Sequence, residues 1–418
     1  MSEKVCIICN LNCSRREMDM AKLSVYLQLN GYNLVRDEMI ADYIVVTSCG
    51  FINETTKMAL EQIERVKKYS AKIIVTGCVP DTDIEKLKSI FSGIVIRNTE
   101  LEKFDDIFGK FHKLKDIPDV HDMAWGSKYF CVEVSRGCPE NCSYCATRWA
   151  VGKLHSKPVE KCVSEIKLFN ESNADKVVIN GDNVGAYGLD IGESFGSLIQ
   201  ELPLVENGYS ALIDSLHPKW LLKYYDSILD AAQKNTLGMI VSAIQSGSER
   251  IIKLMRRKAD MNQLKKAFLE LKKVSPQLIL GTEVIIGFPT ETDTELEESI
   301  KFVLDTKIDW GHLFIFSPKD GTEAAAMEGQ VDENIKIKRI NHFIEQLKAN
   351  DYLVHKEEKS QAVIFCRKEV CMKSREADNV FWKHCFDTIC PNEQGQEELL
   401  EIYRNTGDIS NTIRSVSY

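Results

Sequence analysis

Cys138, Cys142 and Cys145, in the stretch RGCPENCSYC (136–145), place three thiols close together, with Tyr144 just before the last. Three thiolates at this spacing can hold a metal cluster, yet a tetrahedral zinc or a cubane iron–sulfur cluster takes four ligands. Three cysteines with no evident fourth leave one iron open to a bound molecule. A zinc knuckle is the competing reading. The loop follows the β-rich run YFCVEVS, however, and the chemistry of a β/α barrel sits at the C-terminal ends of its strands.

A second set is spread out. Cys9 follows VCII, Cys49 follows YIVVTS and Cys78 follows KIIVTG, so each ends a predicted parallel strand. In an open α/β sheet those ends converge on one crevice, where ligands bind. Scattered strand-end cysteines are otherwise small core residues, but the shared position on three strands favours a second open cluster.

These cysteines need elements to carry them. In the first 115 residues, VCIIC (5–9), DYIVVTS (42–48), KIIVTG (72–77) and GIVIR (93–97) alternate with the amphipathic stretches RREMDMAKLSVYLQLNG and TTKMALEQIERVKKYS, which predicts a doubly wound parallel α/β sheet. HKLKDIPDV reads as a linker. Over 120–352, the strand candidates YFCVEVS, KVVINGD, YSALID, GMIVSAI, LILGTEVIIGF and WGHLFIFS, with helices such as PVEKCVSEIKLFNES between them, predict a partial (β/α)6 barrel. Residues 355–418 break the rhythm and read as a small separate α+β element.

The chain has 418 residues, 44% hydrophobic and 28% charged, enough for two or three domains. Fourteen cysteines in a chain of this size, without an apparent export signal, read as reduced thiols or metal ligands in a cytoplasmic protein. No apolar run approaches the roughly 20 residues that span a bilayer, so no membrane partner is expected. A net charge of −9 argues against broad phosphate binding.

C-x3-C-x2-C with an aromatic before the last cysteine resembles the radical S-adenosylmethionine (SAM) superfamily. More closely, ICNLN, TSCGFIN, VTGCVP, NGDNVGAYGLDIG, IQSGSERIIKLMRR, GTEVIIGFPTET and FSPKDGTEAAA resemble, in order, the MiaB/RimO methylthiotransferase family. The resemblance implies insertion of an S-methyl group at an unactivated C–H bond of a tRNA adenosine or a ribosomal-protein aspartate. It implies two 4Fe-4S clusters: a SAM-cleaving one on Cys138, Cys142 and Cys145, with Tyr144 near the adenine, and a sulfur-carrying one on Cys9, Cys49 and Cys78. Asn180, Gly181 and Asp182, Gln245 and Ser246, and Gly287, Phe288 and Pro289 fall at strand ends where SAM would bind, although glycine-rich ends also serve plain turns. An electron donor such as flavodoxin or ferredoxin is implied. The chain departs from the family at Thr290, usually Gly, and at Glu283, usually Asp. ATRWAVGKLHSKP resembles the threonylcarbamoyl-adenosine branch and TSCGFIN the RimO branch.

The family's usual C-terminal TRAM β-barrel is not recognisable. From His355 onward, nine Lys/Arg face eleven Asp/Glu, whereas an RNA-binding appendage is expected to be basic. A peptide or protein side chain, such as one in a ribosomally made precursor peptide, is therefore the favoured acceptor, with tRNA the alternative. A degenerate iron–sulfur scaffold is the reading of another class, and the intact cysteine sets oppose it. Cys366, Cys371, Cys385 and Cys390 form two C-x4-C pairs, wider than most zinc pairs. Cys6, Cys13, Cys131 and Cys162 read as structural, and Arg256–Arg257–Lys258 as a solvated helix end.

Overall fold

The computed structural model describes residues 2–9, 13–117, 119–124, 128–171, 176–202, 211–356 and 362–370. Among them are two sheets. The first has five parallel strands, β1 (Lys4–Ile8), β2 (Asn33–Leu34), β3 (Tyr43–Ser48), β4 (Lys72–Gly77) and β5 (Ile94–Val95), in the order β2-β1-β3-β4-β5. All six residues of β3 are buried, as a central strand covered on both faces requires. Alternation along it explains the layering. Val45, with Val5 and Ile74, packs against Met20, Leu23 and Leu27 of helix α1 (Ser14–Leu29). Ile44 and Val46 face the other way, onto Ala59, Ile63 and Val66 of helix α2 (Asn53–Val66).

The second sheet contains β6 (Val120–Ala124), β7 (Lys128–Arg136), β8 (His155–Ser156), β9 (Lys176–Gly181), β10 (Ala211–Ile213), β11 (Leu237–Val241), β12 (Ile279–Ile286), β13 (Trp310–Ile315), β14 (Tyr352–Lys356) and β15 (Val363–Arg367). Its path is β14-β15-β13-β12-β11-β10-β9-β7-β6, with β8 paired to β7. The six strands β7, β9, β10, β11, β12 and β13 run parallel, the partial barrel that the sequence predicts. Leu280, Val284 and Ile286 of β12 bury outward, sharing a core with Leu296, Ile300 and Val303 of the helix Asp293–Asp305. Glu283, at an odd position, is thereby turned to the inner face, level with His312 of β13.

Two expectations change. The linker reading ends in an edge strand, since β6 pairs antiparallel with β7 from Val120↔Val132 to Ala124↔Lys128. The C-terminal element begins as part of the barrel sheet, because β15 pairs antiparallel with β13 and β14 with β15. Val363 and Phe365 join the barrel core, and that burial holds them there. Residues 371–418, including Cys371, Cys385 and Cys390, lie outside the described residues. Cys366 is fully buried in β15.

Thr290 explains one family departure. Its φ of 65° lies in the left-handed region, which a β-branched residue occupies at a cost and glycine does not. Arg250 holds it there, bonding its hydroxyl at 3.0 Å and its carbonyl at 2.8 Å. Thr290→Gly is therefore expected to stabilise the fold by about 1 kcal/mol, read as a higher urea midpoint.

Candidate functional site

Strand register assembles the N-terminal crevice. Ser48 is level with Gly77 on neighbouring strands, so Cys49 and Cys78 stand side by side just beyond β3 and β4. Cys9 follows β1, whose Ile8 pairs with Val46. Gly77 makes the close approach possible. Its φ is 94°, and a Cβ there would lie 2.3 Å from the Ser48 carbonyl oxygen. Gly77→Ala is expected to cost about 1–3 kcal/mol and to displace Cys78. A melting curve and iron content after reconstitution check both effects.

The crevice suits thiolates held to a cation. Burial pushes the Cys78 and Cys9 thiols up to about 12 and raises Cys49, so on their own they stay protonated. Donors are nevertheless already aimed at sulfur. Asn98 Nδ2 lies 3.6 Å from Cys78 Sγ, while the Thr55 side chain and the Phe51 backbone bond Cys49. Arg16 is buried, and its Nη1 makes no hydrogen bond although it lies 3.0 Å from Asp19. A metal cluster bound there would supply the missing positive charge and take the thiols as thiolates.

The second set lies on the loop after β7. Gly137 has a φ of 82°, and a Cβ there would lie 2.0 Å from the Lys153 carbonyl oxygen. The loop is pinned by Gly137 N donating to Asp182 at 2.8 Å, Ser143 N donating to Met255 at 3.1 Å and Cys145 N donating to Cys142 at 3.3 Å. Asn183 Nδ2 lies 3.5 Å from Cys138 Sγ, Thr147 Oγ1 is 3.1 Å from Cys145 Sγ, and Arg257 Nη1 is 3.9 Å from Cys142 Sγ. Burial pushes Cys138 up to about 11 and raises Cys145. Among the described residues no group of three His, Cys, Asp or Glu closes tightly enough for a single metal ion. A cubane cluster, whose cysteines each bind a different iron, wants a wider cage.

Around this loop the expected SAM residues divide. Asn180 is wholly buried, donates to Met18 Sδ at 3.1 Å and leaves its Oδ1 unpartnered. Gln245, at φ 65° and bridged to Val284, also leaves its Oε1 unpartnered, as does Asn183 its Oδ1. Each of these three buried acceptors is costly unmade, so a water or a polar ligand would satisfy it. Gly181 keeps the backbone open, since a Cβ there would lie 2.9 Å from the Ser135 carbonyl oxygen. Asp182 is committed to Gly137 and Arg15, so it organises the loop. Ser246 accepts from Ser248 N and meets Ser299, which makes it a turn residue. Gly287 (φ 78°) donates to Glu291 at 2.8 Å, Pro289 is buried in the same turn, and Phe288 is fully buried, edge-to-face with Phe316. Tyr144 packs on the barrel core and accepts from Arg257 at 3.1 Å.

Arg257 corrects the sequence reading. It is 8% exposed, and besides Tyr144 it bonds the Ala243 carbonyl at 2.5 Å. A run of like charges looks solvated from its neighbours alone, and the partners, more than 100 residues away for Tyr144, give no local signal. The Arg256 half of the reading stands, with an exposed ion pair to Glu323 at 2.6 Å.

Ion pairs and hydrogen bonds tie the N-terminal crevice to the barrel strand ends. Arg15 of α1 reaches Asp182 at 3.4 Å, Ser215 at 3.0 Å and Asp214 at 3.7 Å, all at barrel strand ends. Arg136 of β7 bonds Asp19 of α1, and Asn53 N of α2 donates to Ser317 at 3.0 Å. Glu283 lies in the field of both Arg15 and Arg257, yet burial and the nearby Asp214 raise its carboxyl. His217, buried beside Arg257 and Lys219, is pushed down to about 2 and stays neutral. Nothing in the sequence marks Arg15, Asn98 or Asn183 as sulfur or strand-end partners beyond their nearness to the motifs.

Residues 132–303 match the radical SAM superfamily, and residues 5–96 match uncharacterized protein family UPF0004. The threonylcarbamoyladenosine tRNA methylthiotransferase MtaB of Bacillus subtilis is 28% identical over 88% of this chain and 86% of its own. The ribosomal protein uS12 methylthiotransferase RimO of Syntrophomonas wolfei is 29% identical over 79% and 80%. In fold, the radical SAM methyltransferase TsrM from Kitasatospora setae superposes with a TM-score of 0.57 at 10% identity, over 78% of this chain and 74% of that one. A radical SAM fold implies a 4Fe-4S cluster and SAM. No helix among the described residues is long and apolar enough to cross a membrane. The chain belongs to the MiaB/RimO-type radical SAM methylthiotransferase family.

Proposed function

We propose that the protein inserts a methylthio group at an unactivated C–H bond of a polypeptide side chain, using two 4Fe-4S clusters, SAM and a flavodoxin- or ferredoxin-type electron donor. The observation that carries this is Arg15, which spans from the N-terminal crevice to Asp182 and Asp214 at the barrel strand ends. One cluster, on Cys138, Cys142 and Cys145, would supply reductive SAM cleavage, and the other, on Cys9, Cys49 and Cys78, the sulfur. Around them, Asn180, Asn183 and Gln245 offer acceptors to SAM, Asp182 fixes the loop, and neutral His217 places no extra positive charge beside Arg257.

The polypeptide reading rests on the net charge of −9 and on β14, the edge strand of the barrel sheet among the described residues. An edge can capture an extended peptide by strand addition. One feature favours the second reading, a tRNA adenosine. Phe51, 48% exposed and two residues beyond Cys49, meets Phe314 edge-to-face at 5.4 Å, and His312 stacks on Phe314 at 5.6 Å. Such a ladder can stack a base. Binding of tRNA and of candidate peptides, each measured across a salt series, separates the two. Peptide binding that changes little with salt and yields a methylthiolated peptide supports the first. Tight tRNA binding that weakens steeply with salt and yields methylthio-adenosine supports the second.

A further inference from the structure

Arg257 stands apart from the other buried cations. Among the described residues Arg16, Arg257, Lys319, Lys336 and Arg339 are buried. Arg16 sits against Asp19 at 3.0 Å, Lys319 against Asp83 at 2.5 Å, Lys336 against Glu333 at 2.6 Å and Arg339 against Glu291 at 3.4 Å. Arg257 has no carboxylate at ion-pair distance among the described residues, and a guanidinium stays charged wherever it is placed. A buried charge without a counter-charge is costly, so an anion belongs beside it. Its bonds show where. Nη1 reaches the Tyr144 hydroxyl at 3.1 Å and Cys142 Sγ at 3.9 Å, while Nη2 is held by the Ala243 carbonyl, so one edge of the planar fork is fixed on the cysteine loop. The turn that carries Arg257 is laced to the same loop: Ser143 N donates to the Met255 carbonyl at 3.1 Å, and Ser143 Oγ to the Leu254 carbonyl at 2.8 Å. Lys219, by contrast, is already paired with Glu140 of that loop at 2.6 Å, and the neighbouring His217 stays neutral.

We propose that Arg257 is a positioning residue for the barrel cluster, its buried charge offsetting the thiolates of Cys138, Cys142 and Cys145 and making the cluster easier to reduce. The proposal rests on those three cysteines holding the cluster. Reduction brings in one electron from the flavodoxin- or ferredoxin-type donor, which is oxidised; no bond changes and no proton moves. The reduced cluster carries one more negative charge than the oxidised one. A cation aimed at a ligating sulfur therefore stabilises the reduced form more, and burial leaves that cation little screened by salt.

The test uses full-length protein carrying Cys49→Ala and Cys78→Ala, reconstituted anaerobically so that the barrel loop is the site loaded. Its midpoint potential is measured without SAM, by redox titration followed by EPR, and compared after adding Arg257→Gln, Arg257→Lys or Arg256→Gln. Arg257→Gln is expected to lower the ratio of reduced to oxidised cluster at a given poise at least about tenfold, a shift of about 59 mV for one electron. Arg257→Lys, which keeps the charge, and Arg256→Gln, which removes an exposed one, are expected to stay within about threefold of the parent. A midpoint unchanged by Arg257→Gln overturns the proposal, and does so equally if SAM binding weakens, since Arg257 would then be a SAM contact. A lysine variant shifted as far as the glutamine one also overturns it, because charge was then not what acted. If Arg257→Gln folds, by circular dichroism, yet loads no iron, retention of about four irons in Arg257→Lys supports the proposal and loss from both overturns it. A parent that loads no iron overturns the barrel-cluster reading itself, a distinct result.

Discussion

Cys138→Ala, Cys142→Ala and Cys145→Ala together are expected to abolish SAM cleavage while leaving about four of eight irons on the reconstituted protein. Cys49→Ala with Cys78→Ala is expected to do the reverse, preserving SAM cleavage and ending sulfur transfer. The asymmetry follows from geometry. Asn183, Thr147 and Arg257 surround the barrel set, whereas Asn98, Thr55 and the Phe51 backbone serve the crevice. No donor to sulfur named here is common to both. Iron analysis and chromatographic assay of 5′-deoxyadenosine read the two outcomes separately.

Asp83→Ala is expected to be the most damaging single change to the fold. Asp83 and Lys319 are both almost wholly buried, and their charges meet at 2.5 Å, with Thr56 accepting from the same ammonium at 2.8 Å. Lys319 follows β13 of the barrel, so this pair helps clamp the two sheets together. Removing the carboxylate strands a buried ammonium, at a cost of about 3–5 kcal/mol, or a fall in melting temperature of about 10 °C. Burial pushes the Asp83 carboxyl up, but hydrogen bonds from Lys319, Lys86 and Thr82 outweigh it and lower it overall. A group lowered in the folded state stabilises above its unfolded value of about 3.9 and loses that contribution as pH falls through the folded value. The wild-type contribution is thus constant near neutrality and vanishes only in strong acid, and the Asp83→Ala deficit should shrink there. Melting curves of both proteins against pH check the sign.

Much of this site is legible in sequence because it is built on strand ends. A run such as KIIVTG announces a buried parallel strand, and the residue after it must lie at the sheet's ligand-binding edge, so Cys49 and Cys78 can be paired without any structure. The six barrel strands are legible for the same reason. What escapes is whatever depends on a distant partner. Nothing in the residues around Lys319 shows that it is buried, because its partner Asp83 lies more than 200 residues earlier. Ser246 and Phe288 occupy the expected strand ends, but their side chains turn into a hydrogen-bonded turn and the core, and the motif does not record direction. Pairing of β15 with β13 is likewise invisible, because it replaces the local β/α rhythm with a return across the sheet.

The most direct test of the central claim is mass spectrometry of acceptors from cells fed methyl-deuterated methionine. Cells expressing the intact protein are compared with cells expressing Cys49→Ala/Cys78→Ala, in both peptide and tRNA fractions. The account predicts a methylthio increment carrying the deuterated methyl group, present only with the intact protein. An equal increment with the double variant, or a product methylated on carbon with no added sulfur, would contradict it.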